Sequence, residues 1–189
     1  MQSLLDAQVP GSNGQFLPND EFNRILTKEA IQMELDTIQP NITLAFADKD
    51  FNVYRKIFGI LICIGKRNSL AAFAESNMTD NDLPFKIPVG ISQQKAWISE
   101  RRAFREFSVC ELEDFLRVQW SLTAPVFERQ GKGTKHYDFD DRAVMPFIED
   151  TETEARSGGF GEVWKVVIHP SHHMLQESVS QHDIMQESR

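Results

Sequence analysis

Apolar residues recur at helical spacing through roughly the first 130 positions of the chain. Asn19 or Asp20 can cap a first helix, and Pro40 lies beyond its expected end. Its apolar positions are Phe22, Ile25, Leu26, Ala30 and Met33. A second helix is expected to begin near Asp48, with a broader apolar face formed by Phe51, Tyr54, Ile57, Phe58, Leu61 and Ile62. A stripe this wide predicts a helix at the centre of a bundle.

More helices are predicted between residues 70 and 120. Residues 70–74 suggest a short helix, and residues 77–88 contain two prolines and predict a loop. Two helical segments are expected between about residues 92 and 120, marked by Trp97, Phe104 and Phe107 and then by Leu112, Phe115, Leu116 and Gln119. Glu111, Glu113 and Asp114 fit a surface or first-turn acidic cluster better than a catalytic carboxylate pair.

The pattern changes after Trp120 to prolines, glycines and short extended runs. Residues 145–148 predict one strand and residues 163–168 a second strand, with a glycine-rich turn between them. The expected fold class is therefore mainly α, a helical bundle in the N-terminal region followed by a short β-hairpin. The predicted divisions are a flexible tail (1–18), a helical domain (19–130), a linker loop (131–144), a β-hairpin (145–175) and a disordered tail (176–189).

The hairpin contains the most informative motif of the chain. Residues 157–166 read Ser-Gly-Gly-Phe-Gly-Glu-Val-Trp-Lys-Val. A Rossmann fingerprint or a Walker A loop must run into a helix, because the N-H groups of that helix hold the phosphate. The residues after Gly161 instead predict a strand that Pro170 ends. This context argues against both of those loops.

The same run follows part of the protein-kinase pattern G-x-G-x-x-G-x-V. Gly158 and Gly161 fall on its second and third glycines. Phe160 falls on the apical aromatic and Val163 on the valine, whereas Arg156 replaces the first glycine. Glycines admit close approach of a phosphate, and the valine would lie under an adenine ring. An ordinary hairpin in which the Gly-Gly pair makes the turn is the alternative.

With residues 168–170 (Ile-His-Pro) after it, this run makes the chain resemble fungal protein-kinase-like proteins, in which a helical N-terminal region precedes a serine/threonine kinase domain. The resemblance implies a loop that covers the phosphates of ATP, formed by Gly158, Gly159, Phe160, Gly161 and Val163. It implies Mg²⁺ as the metal partner of the ATP. The later landmarks of the family are a strand lysine, a glutamate on the next helix, a His-Arg-Asp loop and an Asp-Phe-Gly metal site, and none is present. We therefore expect no catalytic residue, and ATP binding weaker than roughly 1 mM.

Composition limits the other functions. The net charge of −8 opposes binding to nucleic acid. The longest apolar stretch, residues 57–64, is shorter than the roughly 20 residues of a membrane helix, and residues 1–14 lack the pattern of a signal peptide. We expect an intracellular, cytoplasmic protein with no membrane partner. The 14 Phe against 2 Tyr predict an aromatic core, and Cys63 and Cys110 are predicted to be reduced core residues.

Two functional hypotheses follow. In the first, the chain is the N-terminal part of a kinase-like protein, with the glycine-rich ATP loop but without the catalytic machinery, and is inactive alone. In the second, the chain is a noncatalytic interaction or regulatory module that contacts a protein partner through its helical region.

Overall fold

The computed structural model describes residues 4–38, 50–88, 91–128, 137–150, 156–158, 161–163 and 166–174. For residues 91, 92, 94, 95, 149, 150, 156–158 and 161–163 only the backbone is described. The predicted helix start near Asp48, the first part of the predicted linker loop and the predicted disordered tail at 176–189 lie outside the described residues.

Six α-helices occur in the described part of the chain, which confirms the prediction of a mainly helical N-terminal region. They are α1 (Asn19–Ile25), α2 (Lys28–Ile38), α3 (Arg55–Cys63), α4 (Leu70–Glu75), α5 (Ile91–Glu100) and α6 (Val109–Leu122). The expected first helix is divided into α1 and α2, because the Thr27 hydroxyl accepts the Ala30 N–H and begins a new helix. None of these helices is long and apolar enough to cross a membrane.

Helices α3 and α6 form the centre of the bundle. Residues 57–61 of α3 are all buried, as the wide apolar stripe predicted. Gly59 allows the close approach of the two helices, because a Cβ atom at this position would lie 2.7 Å from Leu122 Cδ2. Helix α6 begins with a capping box in which Ser108 N–H donates to Glu111 Oε2 at 2.8 Å and Glu111 N–H donates to Ser108 Oγ at 3.3 Å. The predicted first-turn role of Glu111 is thus confirmed.

The core of the bundle is aromatic, as the phenylalanine content predicted. Phe73 stacks on Phe115 with ring centroids 5.7 Å apart, and Phe104 meets both rings edge-on at 5.0 and 5.3 Å. These three side chains are fully buried. The rings that surround them are Phe85, Phe107 and Trp97. Cys63 is partly buried, but the prediction of a core position for Cys110 is wrong, since its side chain is exposed on α6.

Residues 4–17 are packed against the bundle, so the prediction of a flexible tail is wrong for them. Strands β1 (Val9–Gly11) and β2 (Gly14–Phe16) form an antiparallel hairpin. Leu4, Phe16 and Leu17 are buried, and Leu17 N–H donates to the Ser121 carbonyl at 2.8 Å. Burial of these three apolar side chains holds the segment in place despite its content of turn-forming residues.

Extended segments follow the bundle, as predicted. Strand β3 (Phe127–Glu128) pairs in parallel with β8 (His173–Met174), β4 (Phe147–Asp150) pairs antiparallel with β7 (Val166–Ile168), and β5 (Arg156–Gly158) pairs antiparallel with β6 (Gly161–Val163). The end of the predicted linker loop is part of a core, because Val144 is buried with Phe16 and Trp120. In addition, Ser12 N–H donates to the Met145 carbonyl at 3.2 Å. The amino-terminal hairpin therefore joins the bundle to the strand region.

Candidate functional site

The predicted glycine-rich turn lies at the end of the β5–β6 ladder. The register places Gly158 opposite Gly161, Ser157 opposite Glu162 and Arg156 opposite Val163. Two positions, Gly159 and Phe160, connect the paired glycines, and both lie outside the described residues. The backbone therefore brings three of the five predicted site residues together: the two glycines face each other, and Val163 lies two positions along the strand on the same face as Gly161.

Strands β4 and β7 form a separate two-stranded ladder, which we call the ribbon. Phe147 lies opposite Ile168, whereas Glu149 and Asp150 lie opposite Val167 and Val166. The register shifts between Phe147 and Glu149, as a β-bulge would shift it. Along the chain the glycine hairpin lies between β4 and β7, the two strands of this ribbon, and the base of the ribbon is the pair Phe147 and Ile168.

An aromatic cluster holds the base of this ribbon. Phe147 stacks on Phe127 of β3, with centroids 6.3 Å apart and planes 17° apart. Tyr137 and Phe139 stack on each other at 5.5 Å and meet the Phe127 ring edge-on. The Tyr137 hydroxyl also accepts the Glu128 N–H at 3.1 Å. The cluster therefore fixes β4 beside β3 through ring packing rather than through a strand ladder.

A second attachment, which we call the histidine joint, follows β7. It consists of His169, Ser171 and His172 together with the Asn19 N–H and the Pro125 carbonyl. Asn19 N–H, at the start of α1, lies 3.1 Å from both Ser171 Oγ and His172 Nε2. His172 Nδ1 lies 3.0 Å from the Pro125 carbonyl oxygen. The joint thus ties the end of the ribbon to the first turn of α1 and to the segment after α6.

Histidine 172 is the buried centre of this joint. Its side chain is 3% exposed, and its ring meets the edge of Phe16 with centroids 5.0 Å apart. Burial lowers its pKa, and the charge of nearby His169 lowers it further, while the hydrogen bond to Pro125 acts in the opposite direction. Because the Pro125 carbonyl can only accept, Nδ1 carries the proton and donates to it, and Nε2 accepts from the Asn19 N–H, which also reaches Ser171 Oγ. The imidazole is neutral, and both ring nitrogens already have partners.

Sequence reasoning missed the histidine joint. The residues that His172 binds lie 153 and 47 positions away in the chain, so spacing along the sequence contains no signal for them. The local turn did carry a sequence signal, because Pro170 lies at the start of a short 3₁₀ helix, where proline is common. His169 caps this helix, and its Nδ1 accepts the Ser171 N–H at 3.2 Å. Within the described residues no group of three His, Cys, Asp or Glu side chains could hold a metal ion.

Two concave surfaces lie on the helical side of the molecule. One, of about 610 Å³, lies between the amino-terminal hairpin and α6, and its lining includes Gln8, Gln15, Leu116, Trp120, Arg142 and Val144. The other, of about 860 Å³, lies between the ends of α4 and α5, and its lining includes Glu75, Ser76, Phe85, Trp97, Arg101 and Arg102. In the second, the Arg101 guanidinium lies 4.2 Å from the centroid of the Trp97 indole ring, and Arg102 pairs with Glu75 at 3.3 Å.

No protein-family model, curated protein or solved structure matches the chain.

Proposed function

We propose that the β5–β6 hairpin is the phosphate-covering hairpin of a kinase-like nucleotide site, carried on a helical platform. The observation that supports the proposal is the ladder register, in which Gly158 lies opposite Gly161 across a two-residue connection. An antiparallel hairpin with glycines at its tip leaves backbone N–H groups open to an anion, because no Cβ atom blocks the approach.

Val163 extends the proposed site away from the phosphates. It shares a strand face with Gly161, so a nucleotide whose phosphates meet the glycines would place its base toward the valine. The strand that follows the glycines also supports the kinase type over the Rossmann and Walker types, both of which place a helix there. Mg-ATP is the ligand class that this arrangement would take.

The residues of this chain do not supply the groups that catalyse phosphoryl transfer. Transfer requires a lysine on the α and β phosphates, an aspartate base and metal-binding side chains held in place, and the sequence contains none of the corresponding kinase motifs. A nucleotide site that covers its ligand on one side provides little binding free energy. We expect a dissociation constant weaker than about 1 mM, or less than about 4 kcal/mol of binding free energy.

Titration calorimetry with Mg-ATP and a radiolabelled phosphate-transfer assay on the full chain test this proposal. The expected results are heats too small to fit in the micromolar range and no labelled product above a blank without protein. Micromolar binding that Gly158→Val abolishes would contradict the expected weakness, and labelled product that survives purification would contradict the absence of transfer. Exposed Val109→Ala on α6 is the matched control for Gly158→Val.

The alternative is a noncatalytic interaction module that binds a protein partner through its helices. The groove of about 860 Å³ between α4 and α5 favours it, because Trp97 and Arg101 are residue types enriched at protein interfaces. Genomic sequence downstream of residue 175 separates the two functions. A reading frame that encodes an Ala-x-Lys strand followed by His-Arg-Asp and Asp-Phe-Gly supports the kinase-like proposal, and no such frame favours the interaction module.

A further inference from the structure

The histidine joint has a protonation requirement. His172 Nε2 accepts the Asn19 N–H, and His172 Nδ1 donates to the Pro125 carbonyl, so the ring must carry one proton and no more. A second proton on Nε2 would point a donor at the Asn19 N–H. The bond between Asn19 and the ring would therefore be lost, which leaves Ser171 Oγ as the acceptor of that N–H, and a charge would be placed on a side chain that is 3% exposed.

The surroundings of His172 offer limited compensation for that charge. On its own turn, His169 lies with its ring centroid 5.9 Å away and repels a second cation. From β2, the apolar Phe16 ring covers one edge, and the backbone of Leu17, directly after β2, offers the ring a hydrogen bond that favours the proton. From the segment after α6, Pro125 offers a carbonyl that the neutral ring already uses. From α1, the Asp20 carboxylate attracts a proton on His172, but this carboxylate also accepts a hydrogen bond from Ser171.

We propose that His172 makes the histidine joint acid-sensitive: a proton on Nε2 breaks the bond between the ring and the Asn19 N–H, and so weakens the attachment of residues 169–174, and of strand β7 before them, to the first turn of α1. The direction of the pH dependence follows from the burial of the neutral ring. Unfolded histidine binds its proton near pH 6.5 and the buried ring binds it at lower pH, so the joint is intact above about pH 6.5 and weakens as the pH falls below it. The attachment of the ribbon to the helices would then depend on pH, whether or not the hairpin meets a nucleotide.

Hydrogen exchange of the full chain, measured by mass spectrometry at about pH 7.5 and pH 5.5 and corrected for the intrinsic exchange rate, tests the proposal. We expect protection of residues 166–174 to fall about tenfold or more at the lower pH, while protection of α6 stays unchanged. His172→Gln keeps one donor and one acceptor but cannot titrate, so this variant should lose the pH dependence. His173→Gln, which replaces a neighbouring histidine outside the joint, is the matched control and should retain it.

Three results would overturn the proposal: an equal pH dependence in His172→Gln, loss of the dependence in His173→Gln alone, or an equal fall of protection in α6. If His172→Gln does not fold, ¹⁵N spectra of the imidazole nitrogens in the unchanged protein decide the question. We expect the His172 signals to show a proton on Nδ1 only and to titrate below pH 6.5. Titration of His172 at or above about pH 6.5 would overturn the proposal, because the folded state would then favour the charged ring.

Discussion

The buried amide of Gln119 should be one of the largest polar contributions to stability in this protein. Its side chain is fully buried on α6, where Oε1 accepts the Phe85 N–H at 2.8 Å and Nε2 donates to the Phe85 carbonyl at 3.1 Å. These two bonds fix the backbone that carries the Phe85 ring into the aromatic core. Gln119→Leu keeps a side chain of similar size and leaves both backbone groups without their partner.

The expected cost follows from those two groups. A buried donor or acceptor left unpaired costs about 1–3 kcal/mol, so the pair costs about 2–6 kcal/mol. The apolar leucine recovers about 1–2 kcal/mol through burial, so the middle of both ranges leaves a net loss of about 2.5 kcal/mol in the free energy of unfolding. In a chain of this size each kcal/mol lowers the melting temperature by about 2–4 °C, so the midpoint should fall by about 5–10 °C.

Urea unfolding followed by tryptophan fluorescence measures this loss, since the Trp97 ring lies 6.4 Å from the Phe85 ring. Gln32→Leu is the matched control, because Gln32 is exposed and hydrogen-bonds to the side chain of Asp36 on the same helix. Its replacement should change stability by less than about 0.5 kcal/mol. Equal stability of Gln119→Leu and the unchanged protein would refute the argument that the amide satisfies Phe85.

Three further predictions concern separate parts of the molecule. Gly11→Ala should destabilise the protein by about 1–3 kcal/mol, because its new Cβ would lie 2.6 Å from the Met145 carbonyl oxygen; a melting temperature equal to that of the unchanged protein would show that this contact is not as close as described. Iodoacetamide at about pH 8 should modify exposed Cys110 well before Cys63, whose pKa burial raises to about 11, and peptide mass spectrometry showing equal rates would contradict this. Asp80→Ala should lower stability by about 0.5–2 kcal/mol in urea unfolding, because the carboxylate accepts two N–H groups in the first turn of α3; an unchanged midpoint would mean that water replaces the cap.

The helical part of the fold was predictable from the sequence, because each helix carries its own apolar stripe. The broad stripe of α3 indicated its central position, and Glu111 indicated the first turn of α6. The packing of residues 4–17 was not predictable in the same way. Strands β1 and β2 have three residues each, too few to show an alternating pattern, and their turn-forming residues are also typical of a loose tail.

The candidate site was likewise predictable only in part. The pairing of Gly158 with Gly161 is local, so the glycine spacing and the strand-like residues after it were enough to predict a hairpin. His172 depends on a backbone N–H at Asn19 and a carbonyl at Pro125, neither of which has a sequence signature. Contacts of this kind arise only once the chain has folded and brought distant backbone groups together.

The measurement that tests the kinase-like proposal most directly is a titration of the ¹⁵N-labelled full chain with Mg-ATP, up to about 10 mM, followed through backbone amide shifts. We predict that the largest changes fall on Gly158 and Gly161, with a dissociation constant weaker than about 1 mM, and that Gly158→Val removes them while Val109→Ala does not. Largest changes in the groove near Trp97 and Arg101, or no response of either glycine at the highest concentration, would contradict the proposal.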